Sequence, residues 1–174
     1  MGEALIGRQV VLRPATEADV PVLVAIRRTP EVHARWRGGE DLASEIRDDL
    51  TDAETVIYAI EYESAVVGAI QWSAETDPDY RHASIDIYLD PAVRNQGLGP
   101  DAVRTLARHL IVDRGHHRLV IDPAVDNAAA IRAYEKVGFL PVGRMRQYER
   151  GLDGTWHDCL LMDLLADELT PPAR

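Results

Sequence analysis

The stretch Arg94-Asn95-Gln96-Gly97-Leu98-Gly99 lies between an alternating segment and an amphipathic one, and its reading decides the fold. Upstream, Ala83 to Leu89 sets Ile85, Ile87 and Leu89 on one face and Ser84, Asp86 and Tyr88 on the other, the period of a strand. Downstream, Pro100 to Val112 carries Val103, Leu106, Ala107, Leu110 and Ile111 at helical spacing. A strand that feeds two glycines into a helix N-terminus turns backbone N–H groups toward an anion. Gly97 and Gly99 let a phosphate approach the backbone with no Cβ in the way, and Arg94 adds a charge-assisted contact. Glycines that merely turn the chain are the alternative for these six residues taken alone.

Working outward, Gln9 to Arg13 alternates as a strand ending at Pro14, and Thr16 caps a helix carrying Val20, Leu23, Val24 and Ile26. Glu31 to Trp36 is a further helical turn that Arg37-Gly38-Gly39 breaks, and Asp41 to Leu50 is a short helix. Val56 to Tyr62 and Val66 to Ser73 are strands joined at Glu63-Ser64-Ala65, and Glu75 to His82 is a polar loop. Past the glycine loop come a strand from His117 to Asp122 and a helix from Asn127 to Val137, capped by Asn127 and stopped by Gly138. Phe139 to Val142 begins a strand, and a hairpin of Gly143–Glu149 with Thr155–Leu164 turns at Asp153-Gly154. The order is strand, helices, three strands, helix, strand, helix, two strands. It gives an α+β fold with a mixed sheet whose central pair brackets a helix. No repeat or linker interrupts residues 1–174, so a single domain is expected.

The glycine loop resembles the acetyl-CoA pyrophosphate loop of the GCN5-related N-acetyltransferases (GNAT). Asn127-Ala-Ala-Ala-Ile131-Arg-Ala-Tyr134-Glu-Lys-Val-Gly138-Phe139 resembles that family's second hallmark, in the family's order and spacing. The resemblance implies acetyl-CoA as acyl donor and a mixed, mostly antiparallel sheet flanked by helices, with splayed central strands. Backbone groups of the strand holding Ile87 and Leu89 would meet the pantetheine arm, and the amides of Asn95, Gln96, Gly97, Leu98 and Gly99 the pyrophosphate. Asn127 would contact the cofactor or serve only as a helix cap. Tyr134 would protonate the departing thiolate, or else pack as a core aromatic beside Ile131. Pro100, read as the first helical position, removes one amide from the phosphate cradle.

A narrower resemblance links Trp36-Arg37-Gly38-Gly39-Glu40, Val67-Gly68-Ala69-Ile70-Gln71, Ser84-Ile85-Asp86 and Ile121-Asp122-Pro123 to the aminoglycoside 6'-N-acetyltransferases. It implies that Trp36 lines the acceptor site, that Asp86 and Asp122 meet the acceptor's amines, and that Asp86 assists deprotonation. Packing of Trp36 in a helix corner and an ordinary strand exit at Asp122-Pro123 are the plainer alternatives. Glu40, Asp77, Asp79 and Asp158 join the candidates on charge and placement.

Composition sets the bounds. The chain has 174 residues, 29 acidic against 19 basic side chains and a net charge of −10, which disfavours nucleic acid and suits a small polycationic partner. One cysteine, Cys159, excludes an internal disulfide and a cysteine-cluster metal site, and His116-His117 has no ligand partners at useful spacing, so no metal is expected. No apolar run approaches the roughly 18 residues of a membrane span, so a cytoplasmic protein is expected. Homodimerisation is an option the family resemblance leaves open. The leading expectation is an acetyl-CoA-dependent N-acetyltransferase acting on a 6'-amine of an aminoglycoside by direct transfer, without a thiol nucleophile. Against it stand acetylation of a protein N-terminus, a lysine or a siderophore-type amine, and a CoA-binding module without turnover.

Overall fold

Alternating apolar residues build an eight-stranded sheet in the computed structural model, which describes residues 2–170. The strands are β1 (Leu5–Ile6), β2 (Val11–Pro14), β3 (Thr55–Tyr62), β4 (Ala65–Glu75), β5 (His82–Leu89), β6 (Arg118–Ile121), β7 (Leu140–Arg150) and β8 (Trp156–Leu165). They lie in the order β1-β2-β3-β4-β5-β6-β8-β7, antiparallel except where β5 runs parallel to β6. A parallel pair needs a crossover, which α4 (Leu98–Arg108) and a π turn at His109–Asp113 supply.

Each face of the sheet has its own core. Ile60, Ile70, Ile85 and Leu119 pack with Leu98, Val103 and Leu106 of α4 and with Tyr134 of α5 (Ala128–Glu135). Ala69 and Tyr88 pack on the other face with α1 (Val20–Arg27), α2 (Pro30–His33) and α3 (Leu42–Thr51) through Leu23, Val32 and Ile46. Burying a leucine-sized side chain contributes about 2 kcal/mol, so the apolar stripe of α4 alone fixes that helix against the sheet.

Two features position the site. β5 and β6 pair only at Ala83↔Leu119 and Ser84↔Val120. From Ile85 onward they part, which leaves the β6-facing backbone of Ile87 and Leu89 without a strand partner. The start of α4 is anchored by buried Asp101, whose carboxylate accepts the amides of Arg8, Gln9 and Val10 at 3.1, 2.7 and 3.1 Å.

Several expected boundaries shift. Thr16 precedes a 3-10 turn at Glu17–Asp19, and its amide donates to Asp19 Oδ2 at 2.8 Å, so α1 starts only at Val20. β4 reaches Glu75 and β5 begins at His82, which shortens the expected loop because its flanks pair as Glu75↔His82. The separate strand expected at Phe139–Val142 is continuous with the first hairpin arm as β7, with bulges between Pro141 and Gly143 and between Met145 and Glu149. α4 is capped by Gly97, which makes Pro100 its third residue and not its first. The lost donor is real, since the third N–H of a helix is also among the unsatisfied ones.

Candidate active site

The loop before α4 has the geometry of an anion cradle. Asn95 and Gly97 take left-handed conformations at φ +64° and +80°, an arrangement that turns successive N–H groups inward. The amides of Leu98 and Gly99, at the first two helical positions, have no intrahelical acceptor. A Cβ on Gly99 would meet only Leu89 Cδ1 at 3.5 Å, so no packing within the chain demands glycine there. The Gln96 carbonyl is held by Gln9 Nε2 at 3.3 Å, which ties the loop to the β1–β2 turn.

From this loop a cavity of about 660 Å³ runs along the parted edge of β5. Ile87 and Leu89 line it from β5; Arg94, Asn95, Gly97, Leu98 and Gly99 line it from the loop; Gln96 does not. Arg132 and Lys136 add positive charge from the α5 side, a contribution the sequence did not single out. Asn127 lines the cavity while its side chain accepts the Ala130 amide at 3.3 Å, so it is at least a helix cap. Cationic side chains beside free amides and an unpaired strand edge fit a phosphate-bearing molecule with an amide-containing arm.

Trp36, Tyr88 and Tyr134 also line the cavity. The Trp36 ring leans on Tyr88 at 4.6 Å between centroids, and the Arg27 guanidinium lies 5.6 Å from its centre. Arg27 Nη2 also donates to the Arg37 carbonyl at 2.7 Å, and Glu45 Oε1 accepts the Gly39 amide at 2.6 Å, so the tryptophan–glycine–glycine segment is fixed from below.

Asp86 is beyond the cavity's lining, on the same face of β5 as Tyr88, opposite Gln71 of β4. Burial lifts its pKa to about 6; the Asp122 carboxylate pushes the same way and a hydrogen bond from Gln71 opposes them. Asp122 is raised chiefly by burial, although the Tyr148 hydroxyl donates to it. The charge of Asp122, with burial, pushes that phenol up to about 12. Glu149 adds its charge to both aspartates, and its Oε2 lies 3.7 Å from Cys159 Sγ. Burial first, then Glu149, pushes the Cys159 thiol up to about 12, so it is inert at neutral pH. Tyr134 connects the two regions: it lines the cavity, and burial with the charges of Asp86 and Asp122 raises its pKa and keeps it protonated.

Trp36 and Tyr134 thus both line the donor cavity, and the charges of Asp86 and Asp122 act on Tyr134 from beyond it. Glu40 is exposed ahead of α3 and does not line the cavity. Asp77 and Asp79 sit on the β4–β5 loop, at the opposite end of β5 from the glycine loop. Asp158 serves the hairpin instead, because its carboxylate accepts the Gln147 amide at 2.8 Å and pairs with Arg144 at 3.6 Å. Those two contacts hold the β7 bulge, where Gln147 has φ +50°. In a regular strand consecutive side chains point to opposite faces, yet Tyr148 and Glu149 both reach the aspartates. The bulge makes this possible and explains why strand alternation could not find them. Of the histidine pair, His116 is buried and His117 exposed. Among the described residues no group of His, Cys, Asp and Glu is arranged to hold a metal ion, and no helix is long and apolar enough to cross a membrane.

The model of the family described as "Acetyltransferase (GNAT) domain" matches residues 9–140. This chain belongs to the GNAT acetyltransferase family. As a GNAT enzyme it takes its acyl group from acetyl-CoA, the donor that the phosphate cradle and free strand edge suit. The acetyltransferase is 31% identical over 150 residues to an aminoglycoside N(6')-acetyltransferase type 1 of Klebsiella pneumoniae, covering 75% of this chain and 73% of that protein. It is 42% identical over 69 residues to a kanamycin resistance protein of Rhizobium radiobacter, 39% of this chain and 62% of that one. Its fold superimposes on a ribosomal L7/L12 alpha-N-protein acetyltransferase in complex with coenzyme A with a TM-score of 0.81 at 21% identity, covering 95% of this chain and 99% of the other.

Proposed function

We propose that this acetyltransferase acetylates a primary amine of a small polycationic acceptor, and that the acceptor is an aminoglycoside modified at its 6'-amine. The observation that carries the reading is the group of three carboxylates, Asp86, Asp122 and Glu149, of which Asp86 and Asp122 act on Tyr134 in the wall of the donor cavity. An acceptor with several ammonium groups can place one against Asp86 and others against Asp122 and Glu149, while Trp36 and Tyr88 offer flat apolar walls to a sugar ring. The 31% identical relative, whose name specifies the 6' position, supports the choice of amine.

Acetyl-CoA supplies an activated acetyl thioester; the chain's residues manage the protons. An ammonium group must become neutral before its nitrogen can attack, and Asp86, with a pKa of about 6, is ionised above that pH and close enough to the amine's range to accept a proton. Tyr134 is held protonated, so it donates to the sulfur as negative charge develops there. Across the reaction the amine goes from RNH3+ to an amide, one proton ends on the thiol and one leaves to solvent through Asp86. Cys159 takes no part, since its thiol is pushed up to about 12.

The test is thiol release from acetyl-CoA with a panel of amines: kanamycin, tobramycin, spermidine and a peptide with a free N-terminus. Turnover on the aminoglycosides with kcat/KM well above that on the others supports the reading. Turnover on the peptide alone would replace it with protein acetylation, and binding of acetyl-CoA with no turnover on any amine would reduce the chain to a CoA-binding module.

A further inference from the structure

Residues 34–40, which bring Trp36 to the donor cavity, belong to no helix or strand. The Trp36 amide still bonds the Val32 carbonyl at 2.7 Å. Past it the segment is held by side chains, with Arg27 on the Arg37 carbonyl and Glu45 on the Gly39 amide. Arg27, the last residue of α1, is only 5% exposed. Its guanidinium makes two contacts at once: Nη2 donates to the Arg37 carbonyl at 2.7 Å, and the central carbon lies 5.6 Å from the centre of the Trp36 ring. Gly38 closes over the same group, since a Cβ there would stand 3.1 Å from Arg27 Nη2 and would clash with Leu42 Cδ2.

Stability alone does not account for a cation in that place. Arg27 Nε is buried with no hydrogen-bond partner, and the carboxylate paired with the guanidinium, Glu45 Oε2, is 3.9 Å away on a side chain 40% exposed. A guanidinium taken out of water needs close, well-aligned anions to offset its lost hydration, and an apolar side chain of similar volume often serves the fold as well or better. An apolar side chain cannot, however, stack on an indole and donate in its own plane to a carbonyl. Lysine cannot do both either, because an ammonium is a point charge without a planar fork. The same group reaches the second aromatic wall: burial raises the Tyr88 phenol, and the Arg27 charge opposes that rise.

We propose that Arg27 is a positioning residue for acceptor selection, which fixes the Trp36 ring against Tyr88 so that the acceptor meets a wall already ordered. The inference rests on the reading of Trp36 and Tyr88 as walls for the acceptor's sugar ring. Arg27 does not itself line the cavity, so it acts through Trp36. A side chain that must be ordered on binding weakens affinity by up to about tenfold, and one ordered beforehand does not.

The experiment compares Arg27→Met and Arg27→Lys with the wild-type chain by thermal unfolding, by acetyl-CoA calorimetry, and by kcat and KM with kanamycin. The mobility of Trp36 is read without any acceptor, from the heteronuclear 15N NOE of its indole N–H, assigned by its disappearance in Trp36→Phe. The expected results are a Tm for Arg27→Met close to that of the wild type, with kcat and acetyl-CoA affinity within about twofold of it. In both variants the KM for kanamycin rises about tenfold and the Trp36 indole NOE falls. Either change missing in a folded Arg27→Met overturns the proposal, as does an Arg27→Lys that matches the wild type. A lowered Tm with an unchanged KM would leave Arg27 as a purely structural residue. Should Arg27→Met fail to fold, Arg27→Lys, which keeps charge and bulk, carries the same measurements. If the wild type turns over another amine of the panel and not kanamycin, the aminoglycoside reading fails, and the KM for that amine together with the NOE decides for or against Arg27. If the wild type turns over kanamycin and the variants share its KM, the role of Arg27 fails alone.

Discussion

Asp86 and Asp122 lie on one face of the sheet where β5 and β6 part, and the charge of Asp122 adds to the burial that holds Asp86 at about 6. A carboxylate so placed is an unfavourable feature of the fold and a useful one for the chemistry. That tension gives the first prediction.

Asp86→Asn removes the proposed proton acceptor, and the expected outcome is a kcat/KM with kanamycin lower by about 100-fold or more. The same change raises stability at high pH. The folded pKa lies above the ordinary 3.8, so between those values the folded state binds more protons than the unfolded one. Wild-type stability therefore falls as pH rises from about 4 to beyond 6, by about 3 kcal/mol in all. Thermal unfolding at pH 8 shows the variant more stable than wild type, and the difference closes by pH 4. A variant no more stable at pH 8 than the wild type would contradict the burial argument.

The same titration sets the pH profile of the wild-type enzyme. If the base is Asp86, kcat/KM rises with pH through an inflection near 6, because the carboxylate and not the acid accepts the proton. A profile flat from pH 5 to 7 would assign the base elsewhere.

Tyr134→Phe keeps the ring that packs 6.3 Å from Phe139 and deletes only the hydroxyl. The expected outcome is a kcat about 100-fold lower, with acetyl-CoA affinity measured by calorimetry changed little. An unchanged kcat would leave Tyr134 as a core aromatic.

Glu149→Gln probes a residue that reaches the site only through the β7 bulge. Removing its charge from the pair of aspartates raises the KM for a polycationic acceptor by about tenfold, leaves acetyl-CoA binding alone and lowers the pKa seen in the rate profile, since Glu149 helps to raise Asp86. Equal loss toward acceptor and donor would point to general damage to the hairpin.

Asp101→Ala tests the anchoring of the donor loop. Three backbone amides, of Arg8, Gln9 and Val10, lose their buried acceptor. The expected loss is about 3 kcal/mol, seen as a fall in Tm of roughly 6–12 °C, with weaker acetyl-CoA binding because Gln9 also secures the Gln96 carbonyl.

Much of this protein was legible without its structure, where the information is local. Strand alternation separated the Asp86 face of β5 from the Ile85 face, helical spacing located α4 and α5, and the two glycines between them marked the cradle for the donor's phosphates. Those features depend on neighbours within a few residues, and the chain specifies them by itself. Even there, the cap moved Pro100 from first to third in α4, because a helix begins where left-handed Gly97 permits, not where proline stands. Tertiary structure decided which charges meet. The resemblance set Asp86 and Asp122 apart in the sequence, whereas Glu40, Asp77, Asp79 and Asp158 joined them only on charge and placement, and where those four lie was decided by strand register and the hairpin. Tyr148 and Glu149 entered the site because a bulge held by Asp158 overrides the strand period. The net charge of −10 belongs to the sequence; the gathering of the carboxylates Asp86, Asp122 and Glu149 belongs to the fold, since contacts across a sheet are set by pairing and packing over long sequence distances.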